Sequence, residues 1–184
     1  MPNSPISSLN RPKIDFLAAL GILGAFIFFL GFALLLPVGI DLIYAEDTWH
    51  SFLISAAIAF IAGGTLWWLF KPTEEIRIRE GFMVVALTWI TLSLVGALPF
   101  IISGILPSYT DAVFETMSGL TTTGSTIMGG ITSTGFLNPN IESLPHSFLF
   151  WRSLAQWLGG MGIIVLSLAI LPLLGIGGMQ LFQA

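Results

Sequence analysis

The sequence contains no cysteine and very few charged residues. The missing cysteines exclude disulfides, thiolate metal sites and thiol chemistry. Charged residues make up 9% of the 184 positions and hydrophobic residues 55%, with a mean hydropathy of +0.92. A soluble domain usually carries about a quarter charged residues. A chain this apolar cannot cover itself for water, so we expect a membrane protein.

Familiar catalytic patterns are also missing. The sequence has no His-Glu-x-x-His or Gly-x-Ser-x-Gly motif, and it contains only two histidines. We therefore expect neither an enzyme nor an organic cofactor, and we expect no nucleic-acid partner.

Four apolar runs are long enough to cross a hydrocarbon core of about 30 Å, which predicts an all-α membrane protein with four full spans. The first span is expected to end at Pro37 and Gly39, and the third to bend near Gly96 and Pro99. The chain then divides into a tail (1–13), a leading helix pair (14–70), a charged loop (71–80), a unit at 81–178 with spans 81–106 and 146–175, and a polar end (179–184) where the sequence looks truncated.

Between the last two spans lies a segment that is too short to cross a membrane and too uncharged for an ordinary loop. Residues 111–120 predict a helix of about 15 Å, with Asp111 as N-cap and Glu115 in its first turn. Residues 121–140 are rich in Gly, Thr and Ser and carry no charge. Irregular backbone is tolerated at membrane depth only where protein or a water-filled pore meets its polar groups. We therefore predict that this segment enters the bilayer and returns.

The basic residues predict an orientation. All but one of them fall on one side of the predicted spans: Arg11, Lys13, Lys71, Arg77 and Arg79. The positive-inside rule makes that side cytoplasmic, together with the N-terminus. The re-entrant segment would then enter from an acidic outer face, which suits a cation.

This arrangement is typical of a potassium filter. K⁺ gives up its water only where oxygens at fixed positions replace it, and rings of backbone carbonyls do this in potassium channels. Such a filter needs a half-length helix with its negative end inward, an extended peptide, and a glycine with a backbone conformation that other residues resist. These three needs are met in order by residues 111–120, residues 121–123 and Gly124.

Two stretches resemble a known family. The first stretch is Phe-Glu-Thr-Met-Ser-Gly-Leu-Thr-Thr-Thr-Gly-Ser at 114–125, and the second is Phe-Trp-Arg-Ser-Leu-Ala-Gln-Trp-Leu-Gly-Gly-Met-Gly at 150–162. They are similar to the first filter and the following helix of the Trk/Ktr/HKT superfamily of potassium transporters, TrkH/TrkG type. The resemblance implies a leading helix pair and then the first of four repeats that surround one pore. Residues 111–120 would be its pore helix, 121–125 its filter and 126–145 its return loop.

The resemblance also implies a site, a function and partners. Backbone carbonyls of Thr121, Thr122, Thr123, Gly124 and Ser125 would form one quarter of a K⁺ filter, with Thr122 and Thr123 as the best contacts and Gly124 as the potassium-type choice. The function would be potassium uptake across the bacterial cytoplasmic (inner) membrane. Partners would be K⁺, the lipid bilayer, three further repeats of the same polypeptide, a second copy in a homodimer, and a cytosolic nucleotide-binding regulatory subunit.

Other interpretations stay open. The threonine-rich segment could be an outer loop with a glycine turn, and Thr-Ser-Thr-Gly-Phe at 132–136 has a similar form, although Gly-Gly before it makes a poor pore helix. A non-transport membrane-anchoring subunit and a generic permease component are alternative functions.

Single residues have alternative roles as well. Glu115 could be a cation ligand or a helix residue bonded to backbone. Arg152 could pair with Glu115 or Glu142, or be exposed, and His146 could sense pH or lie at the interface. The Gly159-Gly160-x-Gly162 cluster lacks the lysine of a phosphate loop, which favours close helix packing.

Overall fold

The computed structural model describes residues 16–70, 78–131, 135 and 137–173. Over these ranges the chain forms helices and connecting segments without a β-strand, apart from one isolated bridge between Ile131 and Leu137. The helices are α1 (Phe16–Tyr44), α2 (Trp49–Leu69), α3 (Ile78–Gly96), α4 (Leu98–Ile102), α5 (Tyr109–Leu120) and α6 (His146–Leu173), with a 3-10 turn at Ile141–Ser143.

Four stretches are long and apolar enough to cross a membrane: Ala19–Tyr44, Trp49–Leu69, Gly81–Ile102 and His146–Leu168. The prediction of an all-α membrane protein with four spans is therefore confirmed. The predicted tail 1–13, the polar end 179–184 and most of the charged loop 71–80 lie outside the described residues, as do Thr132, Ser133, Thr134 and Phe136 of the alternative filter.

Helices α1 and α2 form a hairpin in which the two backbones touch. A Cβ at Gly63 would stand 2.4 Å from the backbone nitrogen of Phe28, and one at Gly24 would stand 2.5 Å from that of Trp67. Only glycine permits this approach, and small residues have this role in membrane helix pairs generally. Edge-on ring contacts of Phe28 and Phe32 with Phe60 flank the crossing, with centroids 5.1 Å and 4.9 Å apart.

The first span continues beyond Pro37 and Gly39, where it was predicted to end. Helix α1 runs to Tyr44 with Pro37 inside it, fully buried. Neighbouring helices that pack against a membrane helix allow it to tolerate the loss of the backbone hydrogen bond that proline cannot make. Asp41, which was expected in a loop, lies in the last part of α1, where its carboxylate accepts hydrogen bonds from the hydroxyl and the backbone N–H of Thr48.

The third span is interrupted, as expected from its glycine and proline. Helix α3 ends at Gly96, and α4 begins two residues later with Pro99 near its start. The indole N–H of the buried Trp151 on α6 donates to the carbonyl of Gly96 at 3.1 Å, which satisfies one backbone group at the break. Helix α5 contacts both α3 and α6, so the half-length helix is held between two spans.

Candidate ion-filter site

Helix α5 is a half-length helix whose start is fixed by a side-chain cap. Its 12 residues correspond to about 18 Å. The N-cap is Ser108, whose hydroxyl accepts from the backbone N–H of Asp111 at 3.4 Å. The prediction of Asp111 as the cap is wrong because the helix begins two residues earlier. Asp111 lies in the first turn instead, buried, where its carboxylate still suits the positive end of the helix dipole.

The backbone after α5 closes the helix with a turn. The N–H of Thr122 donates to the carbonyl of Gly119 at 2.9 Å, and the N–H of Thr123 donates to that of Ser118 at 3.0 Å. Thr122 has φ +56°. This is the Schellman pattern of helix ends, with threonine in the left-handed position that glycine usually occupies. The expectation that 121–123 is extended is therefore wrong for Thr121 and Thr122, because the carbonyls of the last helical turn take up their N–H groups.

Gly124 has the backbone conformation for which a glycine was expected. Its φ is +75°, and a Cβ there would approach nothing closer than the side-chain nitrogen of Gln156 at 3.9 Å. The need for glycine is therefore conformational and not steric. The carbonyl of Ser125 accepts a hydrogen bond from the hydroxyl of Ser118 at 2.6 Å, so it is directed back toward α5.

The five candidate filter residues lie together on the surface of this chain. Thr121, Thr122, Thr123, Gly124 and Ser125 are all exposed, whereas the α5 residues behind them are mostly buried. Among the described residues, no donor is hydrogen-bonded to the carbonyls of residues 121–124. The carbonyls of residues 121–124 are therefore available to water, to an ion or to further protein.

Glu115 is buried on α5 and joins three parts of the chain. Its carboxylate accepts from the hydroxyl of Thr126 at 3.0 and 3.1 Å, from the backbone N–H of Ile127 at 3.0 Å, and from Nε of Arg152 at 2.6 Å. We call these four residues the Glu115 cluster. The Glu115 side chain is 2% exposed and that of Arg152 20%. Of the alternatives considered for Arg152, the pair with Glu115 is the one that forms.

The glycines of α6 allow it to touch the end of α5. A Cβ at Gly159 would stand 1.8 Å from the carbonyl oxygen of Leu120, and one at Gly119 would stand 3.3 Å from Cβ of Ala155. A Cβ at Gly160, by contrast, would have only an ordinary contact at 3.7 Å. The interpretation of this glycine cluster as a close packing site is confirmed for Gly159.

The start of α6 is tied to the loop between α1 and α2. The carboxylate of Glu46 accepts from the backbone N–H groups of His146 and Ser147 at 2.8 and 3.4 Å and lies 2.7 Å from Nδ1 of His146. Partial burial alone would raise the pKa of the Glu46 carboxyl, but these bonds and the imidazole charge outweigh it and lower that pKa. The imidazole stacks on Tyr44 with centroids 3.9 Å apart. His146 thus links the start of α6 to the end of α1 and to the loop that follows it.

Sequence reasoning missed several residues that shape the site. Ser118 and Thr126 carry no charge, and their hydrogen bonds to Ser125 and Glu115 link positions 7 and 11 residues apart. The available signals were weak: Ser118 lies within the stretch 114–125, and Thr126 follows it directly. The described residues contain no group of three or more His, Asp or Glu side chains able to hold a metal ion.

Known proteins are similar to this chain in sequence. A family model described as "TrkH: Cation transport protein" matches residues 49–184. The chain is 44% identical over 174 residues to the Trk system potassium uptake protein TrkH of Salmonella typhimurium, which covers 93% of this chain and 34% of that protein. It is 36% identical over 163 residues to the Trk system potassium uptake protein TrkG of Escherichia coli, with 88% and 32% covered.

A solved structure agrees with the fold. The crystal structure of the potassium transporter TrkH from Vibrio parahaemolyticus superposes with a TM-score of 0.77 at 36% identity, covering 89% of this chain and 33% of that one. The chain spans about a third of the length of the curated relatives that it matches. With the matching family model, the half-length helix and the shared fold, the chain belongs to the TrkH family of cation transport proteins.

Proposed function

We propose that this chain contributes to potassium uptake, with residues 121–125 as one quarter of a selectivity filter. The observation that carries the proposal is the exposed run of carbonyls at residues 121–124, which have no hydrogen-bond donor among the described residues. The relatives from Salmonella typhimurium and Escherichia coli are named as potassium uptake proteins. Dehydrated K⁺ needs oxygens of this kind.

The local electrostatics support a cation at this position. Helix α5 points its C-terminal end at Thr121, and the negative end of a helix dipole attracts cations. The carbonyls of Thr122 and Thr123 are the best candidates for contact, with those of Thr121 and Gly124 beside them. Ser125 contributes less than the resemblance implied, because its carbonyl already accepts from Ser118.

The remaining partners follow from the family resemblance. One quarter of a filter requires three further repeats in the same polypeptide before K⁺ can be surrounded. We also propose the bacterial inner membrane with a cytoplasmic N-terminus, a homodimer, and a cytosolic nucleotide-binding regulatory subunit. The charge distribution supports the orientation, since five of the six basic residues lie on one side of the spans.

The test is ion uptake by cells that lack their own potassium uptake systems and express this chain within the full-length polypeptide. Replacing Gly124 by Ser adds a Cβ at a left-handed φ, which costs about 1–2 kcal/mol and should raise Na⁺ uptake relative to K⁺ about tenfold. Gly135→Ser is the matched control, since Gly135 also has positive φ (+84°) and open space around it.

The outcomes separate the possible functions. A change with Gly135→Ser alone would assign the filter to the second threonine-rich stretch. Unchanged selectivity in both variants would contradict a filter in either place. A wild-type protein that reaches the membrane but restores no potassium uptake would favour the alternative of a membrane-anchoring subunit.

A further inference from the structure

We propose that Glu115 is a positioning residue for ion selectivity: its carboxylate holds the outgoing end of the filter segment in place, and Arg152 pairs with that carboxylate and fixes its direction. This inference rests on the proposed function of residues 121–125. It assigns Glu115 no direct contact with the ion. Within the Glu115 cluster, the side chain of Glu115 is 2% exposed.

The filter segment is attached to α5 at both of its ends. At the incoming end, the carbonyl of Ser118 accepts from the backbone N–H groups of Thr123 and Gly124 at 3.0 and 3.4 Å. At the outgoing end, the Ser118 hydroxyl holds the carbonyl of Ser125, and Glu115 holds Thr126 and the next residue. Residues 121–125 are otherwise exposed, so these attachments determine where their carbonyls lie.

The two attachments differ in what a mutation can remove. The incoming bonds join backbone groups and survive any side-chain change. The outgoing attachment depends on two side chains: the hydroxyl of Ser118, and the carboxylate of Glu115, which accepts from both Thr126 and the N–H of Ile127. Carboxylate acceptors make stronger hydrogen bonds than neutral ones. Binding sites lose their specificity when the groups that contact the ligand move by more than about 0.5 Å. Loss of the outgoing attachment should therefore change ion selectivity.

Arg152 makes this arrangement possible without making the site more negative. A buried carboxylate without a counter-charge is costly, and Nε of Arg152 at 2.6 Å supplies that charge from α6. The pair is neutral overall, so Glu115 does not act as a surplus negative charge that concentrates cations. Its contribution is geometric, through the acceptor bonds to the return segment.

Geometry and charge predict different results for substitutions. Glu115→Asp keeps the charge but shortens the side chain by one methylene, so it withdraws from Thr126. Thr126→Val removes the hydroxyl that donates to Glu115 and accepts from the N–H of Met128, and it leaves every charge in place. In the full-length protein we expect both variants to lower the uptake ratio of K⁺ over Na⁺ about tenfold, the effect of losing one hydrogen bond to a charged group.

Two further variants distinguish positioning from a structural ion pair. The exchange of both partners, Glu115→Arg with Arg152→Glu, can restore a charge pair, but an arginine has no acceptor for the N–H of Ile127. The exchange should therefore not restore selectivity, even where it restores thermal stability. Glu46→Gln is the matched control, because Glu46 also accepts two backbone N–H groups beside a basic side chain, away from the filter. It should lower stability and leave the ion ratio unchanged.

The decisive experiment measures uptake of K⁺ and Na⁺ over a range of concentrations, with membrane abundance and Tm for every variant. Lowered K⁺/Na⁺ ratios in Glu115→Asp and Thr126→Val, with a normal ratio in Glu46→Gln, would support the proposal. Unchanged ratios in a transporting wild-type background would overturn it and leave the proposed function standing. If Glu115→Asp does not reach the membrane, Thr126→Val decides alone. A wild type without potassium uptake would overturn both proposals.

Discussion

Replacing Gly159 by Ala is expected to push the end of α5 away from α6. A Cβ at Gly159 would stand 1.8 Å from the carbonyl oxygen of Leu120, whereas ordinary van der Waals contact begins at 3.4 Å. The two atoms would have to separate by the difference, about 1.6 Å. No side-chain rotation can relieve this clash, because the oxygen belongs to the backbone. Leu120 immediately precedes Thr121, so the shift would reach the proposed filter.

The size of the overlap sets the expected cost. Overpacking a well-packed site typically costs 1–3 kcal/mol, and this site should lie near the upper end, at about 3 kcal/mol. Gly160 is the matched control, since a Cβ there would meet only the side chain of Thr122 at 3.7 Å. Alanine at Gly160 also gains up to about 1 kcal/mol of helix propensity. Gly159→Ala should therefore be destabilising, and Gly160→Ala neutral or stabilising.

Unfolding of the purified full-length protein in detergent measures the stability difference, and ion uptake in cells measures its effect on the site. A displacement of more than 1 Å at an organised site can cost on the order of 100-fold in rate. Normal uptake and a loss of less than ~0.5 kcal/mol in Gly159→Ala would refute the close approach of α6 to Leu120. Equal losses in both variants would show that the glycines act through something other than this contact.

Three further predictions concern the scaffold. Lowering the pH below 4.5, the ordinary pKa of a glutamate, should reduce stability, because the bonds that lower the pKa of Glu46 stabilise the folded state only while its carboxyl is ionised. The Tm in detergent should therefore fall with pH in the wild type, and it should fall less in E46Q. Gly63→Ala should separate α1 from α2 and lower Tm, whereas Gly64→Ala, with contacts no closer than 3.5 Å, should not. Trp151→Phe should cost about 1–3 kcal/mol in chemical unfolding, because the carbonyl of Gly96 loses its buried donor.

The spans and the half-length helix could be predicted from sequence because their signals are local. A run of apolar residues predicts a span regardless of its neighbours, and the short stretch 111–120 could not cross a membrane. The end of α1 could not be predicted in this way. Pro37 indicates a helix end when only its neighbours in sequence are considered, but burial against other helices allows the helix to continue to Tyr44.

The candidate site could be predicted in outline but not in detail, again because only local signals can be read from the sequence. The threonines and Gly124 identified the segment, and its proximity to the end of a helix followed from the length of that helix. The turn at Thr122 was missed because threonine rarely adopts a positive φ. The pair between Glu115 and Arg152 stayed one of several options, because 37 residues separate its members in sequence. Contacts over such separations depend on how the spans pack, which no local pattern records.

The contacts between the α1–α2 loop and the start of α6 have a consequence for the order of folding. They join residues 99 to 101 positions apart: Thr48 with Ser147, and Glu46 with His146 and Ser147. Because chains emerge from the ribosome N-terminus first, the hairpin can form long before its partners on α6 are synthesised. We expect α6 to insert after the hairpin, against a surface already in place. The hairpin would then act as a template that sets the depth of α6.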